Sequence, residues 1–390
     1  MNLERTFEDK EILICCGSGG VGKTTAAASI ALEEARRGRR VLVLTIDPAR
    51  RLANAMGLEE LGNRESPIPQ QTLRDAGIRP DGELHGMMLD TKRTFDELID
   101  RISPTPEKRD QILSNKYYHT LSNALAGSQE YMAMEKLHEI HKRGDYEFIV
   151  LDTPPTRHAL DFLEAPRRMS DFLEGKVIQW MLKPYMIAGR AGFRFLHRST
   201  TSILGIMEKV TGMEAMKGLA EFFMSFEGLY DGFKDRAKNV NRLLKSKRTC
   251  FLLVASPNKL ILRETRFFAE KLMEFEMPLG GFVFNRVHPD YIRGARSTRR
   301  IQRMLRDRSW SDRLFDGSDV PPGEADAYAQ VVESLLSNFL RAQKLADADR
   351  AGIEGFLSRF PMLPWKTVPF FDDEIHDLRG LARMGEILYR

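Results

Sequence analysis

Residues Gly17-Ser18-Gly19-Gly20-Val21-Gly22-Lys23-Thr24 satisfy every fixed position of G-x-x-x-x-G-K-[ST]. They lie between an apolar strand pattern, Ile12–Cys16, and a helical pattern from Thr25 to Arg37. Few folds accommodate that arrangement. A strand has to end, the backbone has to curl tightly enough that glycine is needed, and a helix has to begin with its N–H groups aimed into the curl. Such a loop is a phosphate cradle. In it the Lys23 ammonium is placed against the β- and γ-phosphates and the Thr24 hydroxyl against Mg²⁺. Gly17, Ser18, Gly19, Gly20, Val21, Gly22, Lys23, Thr24 and Thr25 are therefore the expected triphosphate-binding residues.

A strand–loop–helix start of this kind predicts an α/β fold, and the rest of the chain agrees. Val41–Ile46, Phe148–Leu151, Phe251–Val254 and Gly281–Phe284 are further short apolar, β-branched runs. They are continuous rather than alternating, as strands covered on both faces are. The intervals between them are long enough for crossover helices, which gives a doubly wound, mostly parallel sheet. Residues 64–82, with Pro67, Pro69 and Pro80, are expected to be loop, and Ser103 is the expected cap of a helix following Pro106. The segment from Pro166 to about Leu244 carries no strand signal and is rich in Met and Phe, which sets it apart as an inserted helical subdomain. The expected division is thus a core of residues 1–165 and 246–390 with a helical subdomain over 166–245.

Two of the strands end in carboxylates, at the edge of the sheet where open α/β folds bind ligands. Val41–Ile46 runs into Asp47-Pro48-Ala49, and Phe148–Leu151 into Asp152-Thr153-Pro154-Pro155-Thr156. Asp47 is the candidate for orienting the attacking water or holding Mg²⁺ through a water, and Asp152 for ligating Mg²⁺ indirectly. A strand-end Asp that merely caps a turn is the plain alternative for each. Gly281–Phe284 ends in Asn285-Arg286, where an amide can read a purine edge with both donor and acceptor. Asn258-Lys259 begins like the guanine signature N-K-x-D, but the fourth position is Ile261, so ATP is expected over GTP.

Composition narrows the class. The net charge of +4 is spread over 59 basic and 55 acidic residues, too weak a bias to imply nucleic acid. The three cysteines, Cys15, Cys16 and Cys250, form no C-x-x-C, so neither zinc nor a disulfide framework is expected, and a reducing cytoplasm is the expected compartment. Met1 to Lys10 is polar and no apolar run approaches a membrane span of roughly 20 residues. Two surfaces have double readings. Met216, Leu219, Phe222, Phe223, Phe226, Leu229, Tyr230 and Phe233 form one helical apolar face, either core cover or a site for an apolar helix. Arg293, Arg296, Arg299, Arg300, Arg303, Arg306, Arg308 and Arg313 form a basic run, either a solvated face or a contact for anionic lipid. Glu130, after Gly127-Ser128-Gln129, is a switch-segment candidate or simply exposed.

Together these residues resemble the arsenite-pump and Get family of deviant-Walker-A ATPases, within the SIMIBI type of P-loop NTPases. The resemblance is specific at Gly19–Thr25, at Asp47-Pro48-Ala49, at Asp152-Thr153-Pro154-Pro155-Thr156-Arg157-His158, at Asn285-Arg286 and at the tail Val368-Pro369-Phe370-Phe371. It implies a dimeric ATPase using ATP and Mg²⁺, with Asp47 activating water and Asp152 and His158 in a nucleotide-sensing switch. It also implies adenine contacts from Asn285, Arg286, Pro369 and Phe370. In targeting members, Met207, Met213, Met216, Phe222, Phe223, Met224 and Phe226 would line a groove for a membrane-protein helix, because thioethers adapt to varied apolar partners.

The chain departs from that family in two places. The second lysine of K-G-G-x-G-K-T is Ser18 here. A serine carries no charge and is too short to reach a partner subunit's phosphates, so an electrostatic clamp is lost. Weak hydrolysis by the chain alone, or a heterodimer with a lysine-bearing paralogue in place of a homodimer, follows from that. The thiolate clusters of the zinc-clamped and arsenite-binding members are also missing, which weighs against arsenite transport. The expectation is therefore a cytoplasmic ATP-driven switch, able to associate with membranes, that handles membrane-protein or envelope clients. An energising subunit for anion transport and a nucleotide-sensing partner of a catalytic paralogue are the alternatives.

Overall fold

In the computed structural model, the five predicted apolar runs become strands of one eight-stranded sheet. The structure describes residues 3–46, 51–115, 118, 128–154, 164–165, 229–291, 299–301, 303 and 325–390. The strands are β1 Ile12–Cys16, β2 Arg40–Thr45, β3 Ser66–Pro67, β4 Glu83–Met88, β5 Phe148–Asp152, β6 Thr249–Ala255, β7 Leu279–Val287 and β8 Trp365–Pro369. They lie in the order β3-β4-β2-β5-β1-β6-β7-β8. Every neighbouring pair is parallel except β3 with β4. The α/β, mostly parallel expectation holds. From β1 the chain steps to β2, leaving a gap that β5 fills, while β6, β7 and β8 extend the other way. The carboxyl ends of β1, β5 and β2 are thereby brought side by side, at the switch in strand order where such sheets form ligand crevices.

Continuous apolar runs are explained by cover on both faces. Leu13, Cys15, Val41, Val43, Phe148, Val150, Leu252 and Val254 point to one face, under the Lys23–Arg36 helix. Its Ala26, Ala27, Ala31 and Ala35 are fully buried, small enough to bring that helix close to the strands. The C-terminal helix Leu378–Tyr389 packs outside it through Leu381, Met384 and Leu388. Tyr389 donates to Glu34 Oε1 at 2.5 Å, and Arg39 donates to Glu34 Oε2 at 2.9 Å. On the other face Ile12, Ile14, Cys16, Leu42, Leu44, Ile149, Leu151, Phe282 and Phe284 meet the helices Thr91–Ile102, Ser128–Arg143, Tyr230–Leu244, Lys259–Glu274 and Ala325–Leu357.

Several local expectations need correction. Residues 64–82 are not wholly loop: Ser66–Pro67 pairs with β4, and Gln70–Asp75 is a short helix that buries Leu73. β7 is longer than the predicted Gly281–Phe284, so Asn285 and Arg286 lie within it, at an irregularity in its pairing with β8. Ser103 does not cap the helix after it. Its hydroxyl donates to Ile99 O at 2.6 Å, closing the preceding helix. Thr105 Oγ1 accepts from Lys108 N instead, because Pro106 is already the first helical residue and the cap is the position before it.

Of the proposed helical subdomain, residues 166–228 lie outside the described residues, and with them Met207, Met213, Met216, Leu219, Phe222, Phe223, Met224 and Phe226. The last part of the segment is described. Leu229, Phe233, Ala237, Val240 and Leu244 recur at helical spacing and are buried in the same core as the sheet, with Phe233 6.1 Å from the Phe95 ring. Of the basic run only Arg299, Arg300 and Arg303 are described, all exposed. Among the described residues no helix is long and apolar enough to cross a membrane.

Because Leu388 is fully buried between the C-terminal helix and the helix that follows the glycine loop, Leu388→Ala is expected to cost about 2–5 kcal/mol. Urea unfolding followed by circular dichroism measures it. A loss below about 1 kcal/mol would mean that the terminal helix is only loosely applied.

Candidate functional site

The loop 17–22 leaves β1 and turns directly into the Lys23–Arg36 helix. Two of its glycines are required by contact as well as by conformation. Gly17 has φ +154°, and a Cβ there would lie 2.1 Å from Val254 O at the end of β6. Gly22 has φ +90°, and a Cβ there would lie 2.3 Å from Asn285 Nδ2. Gly22 is also the helix N-cap and supplies no side-chain acceptor. The first-turn N–H groups therefore receive no hydrogen bond from a capping side chain, and the positive end of the helix dipole faces the loop's concavity. That is an arrangement suited to an anion.

Around this cradle the sheet register places polar groups in a row. β5 lies between β1 and β2, so that Asp152 is level with both Cys15 and Thr45. Asp152 is fully buried. Its Oδ2 accepts from Thr24 Oγ1 at 2.7 Å and from Thr45 Oγ1 at 2.9 Å. Thr153 Oγ1 donates to Cys15 O at 2.8 Å, binding the residue after Asp152 to β1. Lys23 is 6% exposed and its Nζ donates to Ser18 O at 3.0 Å. Thr24 and Asp152 thus bring a hydroxyl and a carboxylate together beside the ammonium of Lys23. A set of hard oxygen donors of this kind fits Mg²⁺ and does not fit a soft metal.

Asn285 reaches the loop from β7, with Arg286 next to it on the strand. Asn285 Nδ2 donates to Val21 O at 2.9 Å, and Asn285 Oδ1 accepts from Arg286 N at 2.9 Å. The amide therefore ties β7 to the glycine loop. Arg286, exposed and with φ +60°, holds a left-handed conformation uncommon for a side-chain-bearing residue. Phe370 is half exposed and lies parallel to the His288 imidazole, 6.1 Å between centroids and 7° between planes. His288 is held by Asp349 Oδ2, 2.7 Å from its Nδ1 and 2.9 Å from its backbone N. Pro369, level with Val287, ends β8 just before Phe370. Asn285, Arg286, Pro369 and Phe370 are thus gathered at the carboxyl ends of β7 and β8.

Asp47 and Pro155 to His158 lie outside the described residues. Glu130 is half-buried in the first turn of the Ser128–Arg143 helix. One contact at the loop had no sequence signal. Ser18 Oγ donates to Glu264 Oε2 at 2.5 Å, across 246 positions. The cysteines stay apart from this chemistry. Cys15 and Cys16 face opposite sides of the sheet, as neighbours on a strand must. Burial pushes the Cys16 and Cys250 thiols up to about 12, and Cys15 well above its usual value. None is poised as a thiolate ligand near neutral pH.

Residues 10–308 match the sequence model of the anion-transporting ATPases. The chain is 23% identical over 383 residues to putative arsenical pump-driving ATPase 1 of Aquifex aeolicus, covering 97% of this chain and 78% of that protein. It is 26% identical over 290 residues to ATPase GET3 of Malassezia globosa, covering 73% and 76%. With ATPase GET3A of Arabidopsis thaliana it shares 27% identity over 272 residues, covering 70% and 65%.

Gly22→Ala would force Asn285 off the loop and hold an L-residue at an unfavourable φ. The expected loss is about 1–3 kcal/mol of stability together with most of the affinity for a nucleotide. Calorimetric unfolding and titration with a fluorescent ATP analogue measure the two. Wild-type values for both would show that the loop has slack that the contact distances do not suggest.

Proposed function

The chain belongs to the anion-transporting ATPase family and is an ATPase. From that premise we propose that it is a dimeric switch in which ATP binding and hydrolysis control the handling of membrane-protein or envelope clients. The observation that carries the nucleotide part is the Thr24–Asp152 hydrogen bond at 2.7 Å directly behind the glycine loop. It supports a site in which the N–H groups of Gly17 to Thr25 hold the phosphates and the Lys23 ammonium neutralises the β- and γ-oxygens. Thr24 would hold Mg²⁺ through its hydroxyl, and Asp152 would act on it indirectly. When bound there, the ion supplies positive charge to the β- and γ-oxygens as the phosphoryl group transfers. Asp47, two positions after the end of β2 in the sequence, is assigned the positioning of the attacking water. Asn285, Arg286, Pro369 and Phe370 are assigned to the adenine side.

The switch part rests on strand connectivity. Asp47 and Asp152 each begin a segment that can be drawn in by a γ-phosphate and released after hydrolysis, an order–disorder device of the kind that nucleotide switches use. Arsenite chemistry is disfavoured by the three buried, high-pKa thiols, although two relatives are described as arsenical pump-driving ATPases. A second reading is favoured by Ser18, which puts a hydroxyl where the resemblance implies a cation. On that reading the chain senses nucleotide while a lysine-bearing paralogue completes the site.

ATP turnover by the purified chain, wild type beside Asp47→Asn, decides between them. Turnover in the wild type that falls roughly a hundredfold or more in Asp47→Asn, with ATP binding retained, is the expected result. Lys23→Ala should lose ATP binding itself. ATP binding with no turnover above the Asp47→Asn level would favour the paralogue-dependent reading. No binding at all would sink the assignment of the loop.

A further inference from the structure

Glu264 sits where an anion is least welcome. Its carboxylate accepts the Ser18 hydroxyl at 2.5 Å, and Ser18 is the second residue of the glycine loop. The same residue's carbonyl holds the Lys23 ammonium at 3.0 Å. A negative charge is therefore in contact with the loop that the site reading assigns to a triphosphate. The placement is set by the fold. The helix Lys259–Glu274 follows β6, whose Val254 carbonyl abuts Gly17. Asn258 caps that helix by accepting from Leu260 N, and Leu262, Thr265, Phe268, Ala269 and Leu272 bury one side of it. Glu264 is thereby left exposed beside the loop mouth and held there by Ser18. Among the described residues its only polar partner is that hydroxyl, and no cation pairs with it.

We infer that Glu264 is an affinity-setting residue of the nucleotide site, whose charge, anchored by Ser18, opposes the triphosphate and keeps ATP binding weak enough to be reversed. The inference rests on the loop being the ATP site. A hydroxyl at position 18 is what makes it possible, since it fixes the carboxylate at the mouth without cancelling its charge. The plain alternative is that the Ser18–Glu264 hydrogen bond merely orders the loop. The two differ in sign. A charge that opposes the ligand makes its removal tighten binding, whereas a bond that orders the loop makes its removal weaken binding.

Glu264→Gln keeps an acceptor for the Ser18 hydroxyl and removes the charge, while Glu264→Ala removes both. The measurement is direct binding of a fluorescent ATP analogue with Mg²⁺ to the full chain, at low and at high ionic strength. Glu270→Gln, an equal charge change at an exposed position of the same helix, controls for net charge. Both Glu264 variants are expected to lower Kd about three- to tenfold at low salt. The gain should shrink at about 1 M salt, where screening is effective within roughly 3 Å. Glu270→Gln should shift Kd by less than either. Wild-type affinity in Glu264→Gln with weaker binding in Glu264→Ala would overturn the inference in favour of loop ordering. An equal gain in Glu270→Gln would overturn it in favour of net charge. A wild type that binds no nucleotide would remove the site reading, and this inference with it.

Discussion

A buried carboxylate shared by two hydroxyls organises this molecule. Taking a carboxylate from water into a protein interior costs several kcal/mol unless it is hydrogen-bonded. Asp152, fully buried, is placed where Thr24 and Thr45 both donate to it. Those donors come from the helix after β1 and from β2, and they reach Asp152 only if β5 runs between β1 and β2 in this register. Strand order, register and site are therefore one constraint. A slip of one residue in β5 would turn Asp152 to the other face of the sheet and bring Leu151 or Thr153 under Thr24 in place of the carboxylate.

The rest of the fold holds that register still. Both faces of the sheet are apolar, so every interior strand is fixed from two sides. The helix carrying Lys23 and Thr24 is pinned at both ends. At its start, Gly17 lies against the Val254 carbonyl and Asn285 holds Val21. At its far end, Glu34 accepts from Arg39 and from Tyr389 of the last helix. A cradle on a helix held this way meets an incoming anion already formed, so little of the binding energy is lost to ordering it.

Legibility from sequence followed the range of the forces. Ile12–Cys16, Gly17 to Thr24 and the strand-end Asp152 declare themselves locally, because an apolar run, a glycine loop and a carboxylate each carry their own chemistry. β4 does not. Glu83-Leu84-His85-Gly86-Met87-Met88 breaks its apolar run at Gly86. A Cβ there would approach Leu61 Cδ2 to 3.0 Å, so that Leu61 would have to give way, a tertiary fact with no local trace. β8 carries no strand signal in the sequence, because an edge strand that is half exposed has little apolar pattern and ends in Pro369. The helix start is legible from Pro106, but the cap is Thr105, two residues after the expected Ser103, since Pro106 is itself the first helical residue. The Ser18–Glu264 contact is not legible: Ser18 stands out as a departure within the loop, but Glu264 carries no local signal, and only the path of the Lys259–Glu274 helix brings the two together.

The same contrast bears on Asn285. In sequence it is an amide at a strand end, free to read a base with donor and acceptor. In the fold its donor goes to Val21 O and its acceptor to Arg286 N. The amide keeps a second N–H and a second acceptor lone pair, but turning the whole group toward a purine would give up its bond to the glycine loop. Such an exchange would cost about 0.5–1.5 kcal/mol for a neutral hydrogen bond, recoverable from a new bond to the base. It would also loosen the Val21 side of the cradle as the base arrives. Base and phosphates would then be sensed through one side chain, and the left-handed Arg286 beside it, at φ +60°, marks the point on β7 where the backbone already departs from regular strand geometry. On the proposed site, coupling between the two halves of a nucleotide would run through the hydrogen bond from Asn285 to Val21.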